Sequence, residues 1–363
     1  MKIYLDNIVF SLQKAGGISV YWKEFLQRIL KSDNLDVKII EYNRAKENFF
    51  RNQLSIIYEK FQTRSYFLGI QRYMEVNIKT YEKSIFHSSY YRTSSNKNLI
   101  NVTTVHDFTY EYFFSGLTRK IHFWQKKKAI LKSDGIICIS QSTKKDLIHF
   151  IPEVDVNKIR VIYNGVNKGF KKIDISNAFQ KEHQFNDFNY AVYIGNRKSK
   201  YKNFKMAVES CKIQKIKLLI IGGGKLTSKE LKFLNNQLEL NSFKFLKNVS
   251  IEDLNQYYNR AYCLLYPSLY EGFGIPIVEA QKAGCPVIAT YSSSIPEVIA
   301  DISLAIKEPT PDKISNKMDY IKPGSTTRED IIKLGIEKSS IFCWDNNYVK
   351  IIEFYKHLLN NNQ

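Results

Sequence analysis

Two carboxylates and two cations stand out, by residue type and spacing, as groups that could do chemistry. Glu271 and Glu279 bracket the run Gly272-Phe273-Gly274-Ile275-Pro276. A strand-like apolar segment ends near Tyr266, and a helix is expected from Pro276 to Ala283. Gly272 and Gly274 allow a tight turn and close backbone approach to a ligand. Pro276 suits a first helical position, where its missing N–H costs nothing, and Gly284 suits the helix end. The free N–H groups of such a helix start favour an anion. A carboxylate beside them can accept paired hydrogen bonds from vicinal hydroxyls. A helix start with a well-placed Glu279 would explain one glutamate; it would not explain Glu271, the glycines and the proline together.

The cations lie in Ile194-Gly195-Asn196-Arg197-Lys198-Ser199-Lys200-Tyr201-Lys202-Asn203, between a predicted strand and a predicted helix for which Asn203 is the expected N-cap. Arg197 offers a planar fork to phosphate oxygens and Lys202 a point charge. A diphosphate leaves readily only when its developing charge is neutralised. The chain has no Asp-x-Asp pair to hold a metal for that purpose, so Arg197, Lys202 and the helix start are expected to replace it, and no metal or other cofactor is expected. Two further sites are looser. Gly16-Gly17 follows the first strand and enters a helix, as a tight turn or a phosphate loop would. His106-Asp107 follows a strand ending at Val105, where a side chain could face a ligand.

The elements that must position these groups alternate between strand and helix, which predicts an α/β protein with parallel sheets. Strands are expected at Lys2–Leu5, Val37–Tyr42, Ser84–His87, Asn101–Val105, Gly135–Ser140 and Ile159–Tyr163, and again at Tyr190–Ile194, Lys217–Ile221, Phe243–Leu246, Tyr262–Tyr266 and Val287–Thr290. The polar, aperiodic stretch between the two series reads as a linker. This gives a first Rossmann-like domain over 1–167, a linker over 168–189, a second over 190–344, and a C-terminal helix over 345–363. Two doubly wound domains imply a central cleft, with ligands beyond the carboxyl ends of the strands.

Composition sets the class of partner. Lys and Arg number 54 against 35 Asp and Glu, a net charge of +19 spread along the chain. That balance suits nucleic acid, an anionic membrane surface or phosphorylated ligands. Nucleic-acid binding would not require two glutamates around a glycine turn, and no nucleic-acid partner is expected. The five cysteines are widely spaced without metal-ligand pattern and read as reduced, buried thiols of a cytoplasmic protein. No run of about 18 apolar residues predicts a membrane span, so membrane contact would be peripheral. Arg119 to Lys128 carries five cations beside Phe123 and Trp124, a pattern suited to an anionic inner-membrane surface.

The stretch Glu271 to Glu279 resembles the E-x7-E signature of retaining family-4 glycosyltransferases of the GT-B fold, and the resemblance spans nearly the whole chain. It implies that Glu271 contacts the donor sugar and Glu279 the nucleotide ribose. Gly272, Phe273, Gly274 and Ile275 would lie against the diphosphate and sugar, and Arg197 and Lys202 would hold the leaving diphosphate. Gly16 and Gly17 would close over the donor phosphates. His106 would sit near the reacting centre, and Asp107 would orient the acceptor or brace its loop. Gly222 would approach the nucleotide, with Asn248 and Val249 against the base. Asn164-Gly165-Val166 resembles the end of the first domain, and Phe342-Cys343-Trp344-Asp345 the point where the last helix crosses back. The resemblance extends to bacterial transferases that build O-antigen or capsule repeats. It implies a nucleotide-sugar donor and a glycan or polyprenyl-linked acceptor. The same fold also serves nucleotide-sugar epimerases, disaccharide synthases and non-catalytic nucleotide-sugar-binding subunits.

Overall fold

The computed structural model describes residues 1–55, 61–64, 68–175, 185 and 187–361, with backbone only at 61–64 and 68. The chain divides into two compact units: residues 1–165 together with 344–363, and residues 166–343. Much of the expected linker, 176–184 and 186, lies outside the described residues. Its first part is held within the second unit, where the Lys171 and Ile173 amides donate to the Asn255 and Asn259 side chains at 2.9 Å each.

Among the described residues the first unit has seven parallel strands: β1 (Lys2–Asp6), β2 (Asp36–Tyr42), β3 (Phe61–Arg64), β4 (Ser84–Ser88), β5 (Leu99–Val105), β6 (Gly135–Cys138) and β7 (Ile159–Val161). Their order is β3-β2-β1-β4-β5-β6-β7. β4 and β5 are buried along their whole length, as expected of a parallel sheet covered on both faces. The helix Trp344–Asn361 completes this unit. Its Tyr355 hydroxyl lies 2.5 Å from Nδ1 of His87, whose Nε2 meets Thr104 Oγ1 at 2.9 Å. Phe354 and Leu358 pack so closely over Gly135 that a Cβ there would lie 2.5 Å from Leu358 Cδ1.

Among the described residues the second unit has six parallel strands: β8 (Tyr190–Ile194), β9 (Lys217–Ile221), β10 (Phe243–Leu246), β11 (Cys263–Tyr266), β12 (Val287–Thr290) and β13 (Ala305–Ile306). The order is β10-β9-β8-β11-β12-β13. Renumbered within the unit this is 3-2-1-4-5-6, the doubly wound order that reverses between β8 and β11. β11 and β12 are short and wholly buried, whereas the edge strand β10 carries Lys244 and is half-buried throughout. All five cysteines are free thiols, four of them buried. No helix among the described residues is long and apolar enough to cross a membrane.

Candidate active site

In the second unit the loops that leave the carboxyl ends of β8 and β11 are tied together at the point where strand order reverses. The Leu269 amide donates to Tyr201 O at 2.7 Å, and Asn203 Nδ2 donates to Pro267 O at 3.0 Å. Asn203 occupies the N-cap position of the helix Phe204–Gln214, but in the left-handed region (φ 49°) and without a side-chain cap bond. The expected capping role gives way to this cross-loop bond.

The tie brings Lys202 Nζ to 2.5 Å from Glu271 Oε1, with Lys202 also over the rings of Tyr201 and Tyr266. Both partners keep partial solvent access, at 16% and 12% of their side chains. The Glu271 loop is clamped from β12: the Glu271 amide donates to Ser293 Oγ and Ser294 Oγ donates to Glu271 O, both at 2.8 Å. Gly274 begins the helix Ile275–Lys282 in the left-handed region (φ 93°), which a side chain rarely adopts. Gly272 lies in the bend that leads into this helix start. Pro276 falls at the second helical position, still within the turn whose N–H groups lack helical acceptors. Glu279 stands one turn further on, with Tyr258 Oη 3.5 Å from its Oε2; burial pushes its carboxyl up to about 7.

Arg197 departs most from expectation. Its side chain is fully buried, and its fork is committed to protein acceptors. Nε donates to Glu230 Oε1 at 3.0 Å, Nη1 to Gly222 O, and Nη2 to Gly224 O at 2.9 Å, with Phe245 beneath. Gly222 thus adjoins Arg197. Asn248 (φ 54°) and Val249 follow β10, joined to this corner through the Gly222 amide and Leu246 O. Among the described residues no group of three or more His, Cys, Asp and Glu is placed to hold a metal ion.

The first unit carries the other expected residues. Gly16 and Gly17 open the helix Gly17–Ile29, and Tyr21 on that helix meets the His106 ring edge-on at 5.0 Å. His106 is buried, which pushes its imidazole down to about 4 against the pull of Asp107. Asp107 braces its own loop: its Oδ1 accepts from the Thr109 amide at 2.9 Å and its carbonyl from Lys126 Nζ at 2.8 Å. Lys126, one of the five cations of the basic stretch, is wholly buried against Glu111 at 2.8 Å.

Sequence reading missed the supporting residues Glu230, Tyr258, Ser293 and Ser294. The run Ser292-Ser293-Ser294 just after a strand was one available signal, and the capping-box run Thr227-Ser228-Lys229-Glu230 was another; the pairing of Glu230 with Arg197, 33 residues away, had none.

The profile described as Glycosyltransferase Family 4 matches residues 15–170, and that described as Glycosyl transferases group 1 matches residues 174–338. The chain belongs to glycosyltransferase family 4, with the GT-B fold. This glycosyltransferase is 24% identical to the uncharacterized glycosyltransferase MJ1178 of Methanocaldococcus jannaschii, over 99% of both chains. It is 32% identical to the O-antigen chain mannosyltransferase RfbU of Salmonella typhimurium over 60% of this chain and 64% of that one. A match to the O-antigen chain mannosyltransferase B of Escherichia coli, 36% identical, spans 32% of this chain and 30% of the relative. Among solved structures, sucrose-phosphate synthase from Thermosynechococcus elongatus superposes with TM-score 0.77 at 16% identity over 99% of this chain and all of that one. Anabaena HepE in complex with UDP and glucose does so with TM-score 0.72 at 16% identity, over 97% and 98%.

Proposed function

We propose that this glycosyltransferase transfers a sugar, with retention of anomeric configuration and without a metal, from a nucleotide diphosphate sugar to a glycan carried on a polyprenyl lipid in bacterial surface polysaccharide synthesis. The observation that carries the reading is the Lys202–Glu271 pair beside the start of the helix Ile275–Lys282. Lys202 and the helix N–H groups face the departing diphosphate as fixed positive charge. Glu271 accepts from hydroxyls of the transferred sugar, and Glu279 accepts from the ribose. His106, neutral at physiological pH, supports the reacting centre without acting as a general base, and Gly16 and Gly17 cover donor phosphates. The bond from the anomeric carbon to the diphosphate breaks while the acceptor oxygen bonds on the same face. The acceptor proton passes to an oxygen of the leaving diphosphate. Mannose is the first donor sugar to test, because RfbU and the mannosyltransferase B relative are named for it.

The acceptor face we assign is the helix pair Thr109–Phe113 and Gly116–Lys132. Leu117 and Trp124 are 71% and 54% exposed, with Phe113, Phe114 and Ile121 also exposed and Arg119 and Lys120 at the margin. Apolar side chains at helical spacing beside cations suit an anionic bilayer, and this supports reading the enzyme as one that works at the cytoplasmic face of the membrane. A donor screen read by mass spectrometry, with a membrane-lipid extract as acceptor, tests the whole reading. A glycosylated lipid of retained configuration is expected; donor hydrolysis alone, or a free disaccharide as the sole product, would overturn it.

A further inference from the structure

We infer that Asn48 is a positioning residue for the transfer reaction: it fixes the turn that carries Gly16 and Gly17, a role that rests on the reading of that turn as the cover of the donor phosphates.

Asn48 is wholly buried and uses every hydrogen-bonding position of its side-chain amide. Nδ2 donates to Gln13 O at 2.7 Å and to Ser19 Oγ at 2.9 Å, one on each side of the glycine pair. Oδ1 accepts from the Phe50 and Arg51 amides at 2.9 and 3.0 Å. Beside it the Phe49 amide donates to Lys14 O at 2.9 Å. The Gln13 side chain crosses the turn, its Nε2 donating to Ser19 Oγ at 2.8 Å, and a Cβ on Gly16 would collide with its Oε1. Asn48 is anchored in turn. The buried Arg51 donates from Nε and Nη2 to the two carboxylate oxygens of Glu41 on β2, at 2.5 and 2.6 Å. Glu41 Oε2 also accepts from Asn7 Nδ2 at 3.3 Å, and Asn7 Oδ1 accepts from Trp22 Nε1 at 2.7 Å. Ser19 and Trp22 lie three residues apart on the helix Gly17–Ile29, and so on one face of it. The bonds close a ring that leaves this helix at Trp22, runs through Asn7, Glu41, Arg51 and Asn48, and returns to it at Ser19. A buried ion pair offsets its desolvation only where further hydrogen bonds complete it, and Asn7 supplies one.

The ring holds a set of amides in place. The N–H groups of Gly17, Ile18 and Ser19 stand in the first turn of the helix, where no helical acceptor reaches them. In a trans peptide the C=O and N–H point in opposite directions. With Gln13 O and Lys14 O drawn onto residues 48 and 49, the Lys14 and Ala15 amides are directed away from that segment. Successive amides presented together favour an anion, and Lys14, Ala15 and Gly17 are exposed. A glycine pair left to itself has wide conformational freedom. Asn48 removes that freedom before a donor arrives, so less ordering entropy is lost on binding.

The test is calorimetric titration of the full chain with UDP, GDP, ADP, CDP and dTDP, with thermal melts of every variant. Asn48→Asp keeps an acceptor for the Phe50 and Arg51 amides but loses both donations to the turn, and Ser19→Ala removes one of the receiving oxygens. Each should weaken the diphosphate that binds by about tenfold. The double variant Asn48→Asp/Ser19→Ala should lose no more than Asn48→Asp alone, since both undo one device. Asn52→Ala breaks a bond to Lys46 O in the same segment without reaching the turn, and should stay within about twofold of the unaltered chain. A lowered melting temperature with unchanged nucleotide affinity in Asn48→Asp and Ser19→Ala would leave Asn48 a structural role only and overturns the inference, as do additive losses in the double variant. Should Asn48→Asp fail to fold, Ser19→Ala measured against Asn52→Ala carries the test. A chain that binds none of the five nucleotides overturns both the donor site and this inference. Loss in Lys202→Ala with full binding in Ser19→Ala overturns the inference alone.

Discussion

The ammonium of Lys202 lies 2.5 Å from Oε1 of Glu271, across the two loops that leave the central strands of the second sheet. Each group sets the orientation of the other. Neither is fully buried, so a donor can separate them without leaving a charge stranded in an apolar interior.

Loss of Glu271 therefore does more than remove a sugar contact. Glu271→Ala should lower kcat/KM by about a hundredfold to a thousandfold with melting temperature nearly unchanged. Near-normal turnover would refute its role.

Lys202→Ala should cost a similar factor, because it leaves a carboxylate facing the diphosphate. In the double variant the losses should fall well short of additive. Steady-state kinetics of the four proteins completes the cycle, and simple additivity would show that the two groups act independently.

For Glu279, stability and binding should move in opposite directions. Its carboxyl, pushed up by burial to about 7 from 4.5, keeps a proton in the folded chain that the unfolded chain has released. Its stabilising contribution is thus full below about pH 4.5 and is lost as pH rises through 7. Glu279→Gln should melt with the unaltered protein near pH 4.5 and above it at pH 8, by roughly 2–4 °C for each kcal/mol gained. Nucleotide affinity should fall in the same variant. Melts at several pH values and calorimetry at pH 8 check both halves.

Turnover should persist in excess EDTA, within about twofold of the untreated rate, if Lys202 and the helix start neutralise the leaving group. Abolished activity that returns with added magnesium or manganese would overturn the metal-free mechanism.

Flotation with vesicles checks the acceptor face. The enzyme should float with vesicles rich in anionic lipid and less with zwitterionic ones. Leu117→Glu/Trp124→Glu should abolish flotation while leaving nucleotide binding intact.

Much of this was legible in the sequence because parallel strands are short apolar runs bounded by polar turns. The limits read for β8, β9, β10 and β12 coincide with those observed. β13 escaped notice, since two residues carry no periodicity. Long-range pairing was equally hidden. Nothing local to Arg197 distinguishes a phosphate fork from a fork already engaged by Glu230, and Lys126 looked like one more surface cation in a basic run. Asn203 shows the same limit in the backbone. Residue type restricts which conformations are open, but tertiary bonds choose among them.

The helix Trp344–Asn361 lies far along the chain yet finishes the first sheet's coverage, with Tyr355 on His87 and Leu358 over Gly135. During synthesis, residues 166–343 are therefore all available before residues 1–165 have their last helix. The second unit can mature as one continuous stretch while the first waits with its Gly135 groove uncovered. A fragment cut after Gly165 should thus be sticky and poorly soluble, and a circular permutant that moves residues 344–361 ahead of Met1 would let the halves fold in the order they are made.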